Sequence, residues 1–127
     1  MKKIERYMTR GIQADVPMEI QLFLWELQTG IRKSNKEIDY LQVYDLIIEE
    51  GQQKIRHTSE EPEYEKEYVI QVEEPMIAKI YIIEDDYGDK LVETMLLAEE
   101  YWFEEIKRTT RENVEMSMLF FFCLGSM

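Results

Sequence analysis

The chain of 127 residues carries 15 Lys and Arg against 27 Asp and Glu, a formal net charge of −12 at pH 7, with 45% hydrophobic and 33% charged residues. That length suits a single domain over residues 1–127 with one core, and the apolar share sets it apart from disordered chains. The longest apolar run, Met118 to Leu124, is far short of the roughly twenty residues of a membrane-spanning helix, and a field this acidic repels nucleic acid.

The start, Met1-Lys2-Lys3-Ile4-Glu5-Arg6, is basic, but charged and polar residues follow it in place of the apolar stretch of a secretory signal. A cytoplasmic location is therefore expected. Residues 5–14 have strand composition, with Gly11 marking a bulge or bend, and predict a first strand. Asp15 and Pro17 then supply a helix start, the aspartate as a cap and the proline in the first turn. Ile20, Phe23, Leu24, Leu27 and Ile31 recur at spacings of three and four, which places them on one face of a helix ending near Arg32 to Ser34. Cations at that end suit the helix dipole.

Tyr40 to Ile48 is rich in tyrosine, valine, leucine and isoleucine and predicts a buried strand, closed by a turn at Gly51. Lys54–Thr58, Glu65–Val72 and Ile77–Ile83 predict three more strands, separated by Glu60-Glu61-Pro62 and Glu73-Glu74-Pro75. Asp85-Asp86-Tyr87-Gly88-Asp89 fits a hairpin turn, after which Leu91 to Ala98 suits a returning strand or a helix. Glu99 to Glu115 has helical spacing, with Phe103, Ile106, Thr110 and Val114 on one face. Met116 to Leu124 is too apolar to be an exposed tail, and either joins the chain's own sheet or pairs with a second copy in a homodimer, the arrangement preferred. The fold class implied is α+β: a mostly antiparallel sheet, an amphipathic helix after the first strand and a second helix near the C-terminus.

Charge is uneven. Residues 1–36 hold seven cations, Lys2, Lys3, Arg6, Arg10, Arg32, Lys33 and Lys36, against four acids, and the remainder holds eight cations against 23 acids. The cations beside Tyr7 fit a salt-bridging face of the fold better than a nucleic-acid groove. His57, the single histidine, lies among polar side chains in Lys54-Ile55-Arg56-His57-Thr58 and reads as a polar strand residue. Cys123 cannot form an internal disulfide, and flanking phenylalanines suit a buried, inert thiol. Glu84, Asp85, Asp86 and Asp89 offer oxygen ligands, but Ile83 stands where an EF-hand requires aspartate, so a solvated turn is preferred. Glu60, Glu61, Glu63, Glu65, Glu67, Glu73 and Glu74 could in principle supply paired carboxylates, although an exposed, charged sheet face accounts for them more simply. The five glycines are scattered and complete no phosphate-binding loop.

Four stretches, Arg6-Tyr7-Met8-Thr9-Arg10-Gly11, Leu24-Trp25-Glu26-Leu27, Glu37-Ile38-Asp39-Tyr40-Leu41-Gln42 and Met95-Leu96-Leu97-Ala98-Glu99-Glu100-Tyr101, together resemble a family of small uncharacterised proteins of Gram-positive bacteria, a domain of unknown function. The resemblance covers about residues 5–101. It implies a compact domain in bacterial cytoplasm and carries over no site residue. From the residues themselves, the preferred reading is a non-enzymatic interaction or regulatory protein with a protein partner, no cofactor, no metal, no membrane association and no direct nucleic acid. An acidic nucleic-acid mimic that occupies the groove of a DNA-binding protein is one alternative. A carboxylate-based enzyme is the other, which a pocket joining several acids would favour.

Overall fold

The computed structural model describes residues 2–35 and 37–101, and the backbone of 121–123. Strand β1, Lys3–Thr9, leads directly into a short helix α1, Arg10–Asp15, and then into the long helix α2, Met18–Ser34. The remaining strands are β2, Leu41–Glu49; β3, Gln52–Glu60; β4, Glu63–Ile70; β5, Ala78–Asp86; β6, Lys90–Leu97; and β7, Phe121–Cys123. They form one seven-stranded sheet in the order β4-β3-β2-β5-β6-β1-β7. Every neighbouring pair is antiparallel except β1 with β6. The fold class is the α+β arrangement the sequence implies, with the amphipathic helix α2 after the first strand, the short α1 between them, and a further helix near the C-terminus opening at residue 98.

The strand expected over residues 5–14 stops at Thr9. Its hydroxyl accepts a hydrogen bond from the Ile12 amide, which caps α1 and turns the chain into a helix that buries Ile12 completely. Asp15 accordingly ends α1 rather than capping α2. Pro17 precedes α2 without a side-chain cap, its carbonyl receiving the Ile20 and Gln21 amides. Gln21 holds the corner between the helices by donating to the carbonyls of Val16 and Ile12.

The expected face of α2 meets the sheet. Ile20, Leu24 and Ile31 are buried, Phe23 and Leu27 partly so, against a core that includes Met8, Tyr44, Leu46, Ile55, Ile80, Ile82 and Met95. Both hairpin turns fall where the sequence places them: Glu50 and Gly51 have positive φ between β2 and β3, and Asp86 accepts the Gly88 amide between β5 and β6. Leu91 to Ala98 resolves as strand β6 up to Leu97.

Buried or half-buried polar side chains fix the longer connections. Asp39 accepts the Leu41, Glu60 and Glu61 amides, which pins the loop after α2 to the β3–β4 turn. Burial pushes its pKa up, but those backbone donors outweigh it and hold the carboxyl below its ordinary value. Gln53 clasps Met76 through both ends of its amide, anchoring the passage from β4 to β5. Glu100 accepts from the Thr9 hydroxyl, the Gly11 amide and the Leu97 amide, joining α1 to the start of the C-terminal helix. Residues 99–101 of the helix expected over 99–115 are helical, and the rest of it lies outside the described residues. Of the C-terminal segment, β7 pairs Tyr7, Met8 and Thr9 with Cys123, Phe122 and Phe121 of the same chain.

Candidate functional site

Strand register assembles a charged row beneath the C-terminal half of α2. Arg6 on β1 lies directly opposite Glu93 on β6, which in turn lies opposite Glu84 on β5. Gln28, Thr29 and Arg32 descend from the helix onto this row. The Glu93 side chain is fully buried, and the cost of burying a carboxylate is offset only by close partners. Arg6 Nε donates to its Oε1 at 2.9 Å, while Arg32 Nε and Gln28 Nε2 donate to its Oε2. Arg32 also reaches Glu84 Oε1 at 2.6 Å, and Arg6 Nη2 donates to the Thr29 hydroxyl at 2.7 Å. Burial works against the Arg32 charge, but the two carboxylates outweigh it and raise its pKa above the ordinary value.

A polar chain runs inward from this row. Tyr44 donates its hydroxyl to Gln28 Oε1 at 2.7 Å, and burial, aided by the nearby Glu93, raises its pKa well above the ordinary value. Its ring stacks on His57 at 4.2 Å between centroids, and Tyr64 packs on His57 at 4.9 Å. His57 Nε2 meets Gln42 Oε1 at 2.7 Å, while its Nδ1 has no partner among the described residues. Burial lowers its pKa to about 4. His57 lies on a strand as expected, but its expected polar surroundings are corrected: β3 alternates Gln53, Ile55, His57 and Ser59 toward the helix, so His57 is a core residue with no exposure.

Outward, the row floors an open cleft of about 860 Å³ between β1, β5, β6 and the end of α2. Ile4, Leu91 and Ile38 supply apolar wall, with Lys2, Lys33, Glu37 and Asp86 around Arg6, Arg32 and Glu84. Asp86 binds Lys2 Nζ at 2.8 Å, a bond that lowers the carboxyl's pKa together with the Gly88 amide. Arg6 also lies 4.8 Å over the Trp25 ring, on a second, shallower groove along α2.

Of the residues singled out in the sequence, Arg6, Arg32, Lys2, Lys33, Glu84 and Asp86 converge here. The salt-bridging face expected of the N-terminal cations is this row for Arg6 and Arg32, with Lys2 on Asp86 beside it; Lys3 pairs with Glu5 instead, Tyr7 hydrogen-bonds Glu5, Arg10 begins α1, and Lys36 lies outside the described residues. The glutamates of β4 stay apart from it, Glu65 pairing with Arg56 and Glu67 with Lys54 across the sheet. Among the described residues no group of three His, Cys, Asp or Glu is placed to hold a metal ion. The side chain of Cys123 lies outside the described residues. Glu93, Gln28 and Tyr44 were not singled out; the available signal was an acid set in the apolar stretch Leu91-Val92-Glu93-Thr94-Met95.

Fold and site together define a small α+β protein with one long helix laid across a mostly antiparallel sheet and a charged cleft at the helix end. The chain belongs to the family described as Staphylococcal protein of unknown function (DUF960), whose model matches residues 5–100. The four stretches that carry the resemblance meet in space: Met8 pairs with Met95, Gln42 lies opposite Ile82, which is itself opposite Met95, Glu100 closes on Gly11, and Leu24 and Trp25 join the same core. The chain is also similar to a protein of unknown function from Enterococcus faecalis known from its crystal structure, at 21% identity and a TM-score of 0.57. That match covers 75% of this chain and 88% of the other, and concerns the fold. None of the curated proteins compared with the chain matches it. Among the described residues, no helix is long and apolar enough to cross a membrane.

Proposed function

We propose that this protein is a small acidic bacterial protein of the cytoplasm that regulates or bridges other proteins by binding, without catalysing a reaction. The observation that carries this reading is the engagement of Glu93, whose two oxygens are taken up by two guanidinium groups and an amide. A carboxylate so bonded anchors cations instead of moving protons. Two of the three acids that line the cleft are committed likewise, Glu84 to Arg32 and Asp86 to Lys2, while Glu37 is exposed at its rim, and the lowered pKa of Asp86 is the reverse of what a general acid requires.

A carboxylate-based enzyme keeps one observation in its favour, because the cleft does join Glu37, Glu84 and Asp86. The mimic reading is weaker. Its acids would need to present unneutralised rows to a basic groove, whereas those on the open sheet face alternate with Lys54, Arg56 and Lys79. Affinity purification of the tagged chain from its host, with nuclease treatment and mass spectrometry, separates the readings. A stoichiometric protein partner retained at moderate salt is the expected result. Recovery of DNA-binding enzymes that wash off as salt rises would favour the mimic instead.

A further inference from the structure

The two guanidinium groups of the cleft hold more donors than the fold uses. Each carries five N–H groups. Arg6 gives one to Glu93 and one to Thr29, and Arg32 gives one to Glu93 and one to Glu84. The remaining donors belong to side chains that line open space. Because both Nε edges grip the same buried carboxylate, the heads are held in place before any ligand arrives, which removes part of the ordering cost of binding.

The surroundings of these donors are selective. In a chain with a net charge of −12, the cleft is lined by four cations and three carboxylates with Glu93 beneath them, so the acidic field of the rest of the chain is neutralised there. Two of those carboxylates, Glu84 and Asp86, are already paired with Arg32 and Lys2. Lys33 on the rim has no ion-pair partner among the described residues, so one cation is free to meet an incoming charge. Ile4, Ile38 and Leu91 give the cleft an apolar wall, and its volume of about 860 Å³ falls within the range of small-molecule sites, roughly 300–1,000 Å³.

We propose that this cleft binds a small molecule with an oxyanion head group, carboxylate or phosphate, carried on an apolar body. The head group takes the spare N–H donors of Arg6 and Arg32, whose planar forks match such oxygens, and Lys33 closes over it. The body lies on Ile4, Ile38 and Leu91. This assignment rests on the reading of the protein as one that binds, and supplies the ligand to which a regulatory protein would respond.

Titration of the labelled full-length chain with acetate, hexanoate, inorganic phosphate and hexyl phosphate, followed by amide and arginine Nε–H resonances, tests it. Sodium chloride of matching ionic strength is the reference. Saturable shifts should be confined to Arg6, Thr29, Arg32, Lys33 and Leu91. The six-carbon probes should bind roughly tenfold or more tightly than acetate or phosphate, as burial of two or more methylenes requires. Comparison of the two six-carbon probes tells which head group is preferred. Lys33→Glu should weaken binding several-fold and leave the chain folded with a melting temperature lowered by only a few degrees, since Lys33 is exposed and contributes no more than a favourable charge at the end of α2. Shifts that never saturate, that follow chloride, or that are indifferent to chain length or to Lys33→Glu would overturn the assignment and leave the non-catalytic reading intact. Conversion of a probe into product would keep the site and overturn that reading instead.

Discussion

Four glutamines, Gln21, Gln28, Gln42 and Gln53, lie in the interior, and each donates its amide to a carbonyl or carboxylate that would otherwise be buried with fewer partners. None was legible as such: Gln42 and Gln53 are polar residues on strands, which read as surface until the register shows which way they alternate, and Gln21 and Gln28 are polar breaks beside the apolar stripe of α2. His57 is the sharpest instance. In the folded chain its pKa is about 4, against 6.5 ordinarily, so folding excludes the proton that the unfolded chain accepts. Stability from this residue is complete above pH 6.5 and is lost as pH falls from 6.5 toward 4, by about 3 kcal/mol over the window. Denaturation midpoints measured across that range should fall in the natural chain and stay flatter in His57→Phe. A profile unaffected by the substitution would contradict the buried neutral ring. Glu93 carries the larger stake, since Glu93→Gln leaves Arg6 and Arg32 around a neutral amide. Urea denaturation should register a loss of about 3–5 kcal/mol, the range for a buried pair deprived of one partner. A loss under 1 kcal/mol would mean that water screens the row far more than its burial implies.

At the scale of elements, periodicity was decisive where one face is buried and silent where a cap decides. The α2 stripe from Ile20 to Ile31 and the strands β2 to β5 were legible, since each shows its spacing in the sequence alone. Helix α1 was not, because six residues hold too little periodicity to compete with the strand composition before them, and the Thr9 cap is recognisable only beside Ile12. Leu24→Ala empties a site with no exposure under the middle of α2 and should cost about 2–5 kcal/mol by chemical denaturation. An unchanged midpoint would refute the packing of that face. The β2–β3 turn offers the opposite sign. Glu50 holds φ at 53° in a two-residue hairpin, a conformation that asparagine tolerates and that costs other residues about 1 kcal/mol or more. Glu50→Asn should therefore raise the melting temperature by a few degrees, as about 1 kcal/mol does in a chain of this size.

At the scale of the molecule, what the sequence left open was the pairing of distant strands. Nothing local announces that β1 enters the sheet parallel to β6, more than eighty residues away, yet that pairing brings Arg6 to Glu93 and so creates the cleft. The candidate site was correspondingly legible only in parts: its cations stood out as an N-terminal excess, while their carboxylate lay hidden in a strand. The C-terminal segment poses the same question of pairing. Its residues 121–123 run antiparallel to β1 and cover the outer edge of a strand that would otherwise present free N–H and C=O groups. The edge then passes to β7, whose three residues are too short a strand to template a second copy well, so the full-length protein is expected to sediment as a monomer. Truncation after Glu115 removes β7 and opens β1. The shortened chain should melt at a lower temperature and associate as concentration rises, the signature of an exposed edge. The homodimer expected from the sequence demands the reverse order: a full-length dimer that truncation converts into a folded monomer would place the segment between two copies. A truncated chain as stable and as monomeric as the full-length protein would show that β1 does not need its cover, and that the apolar run from Met116 to Leu124 serves neither arrangement.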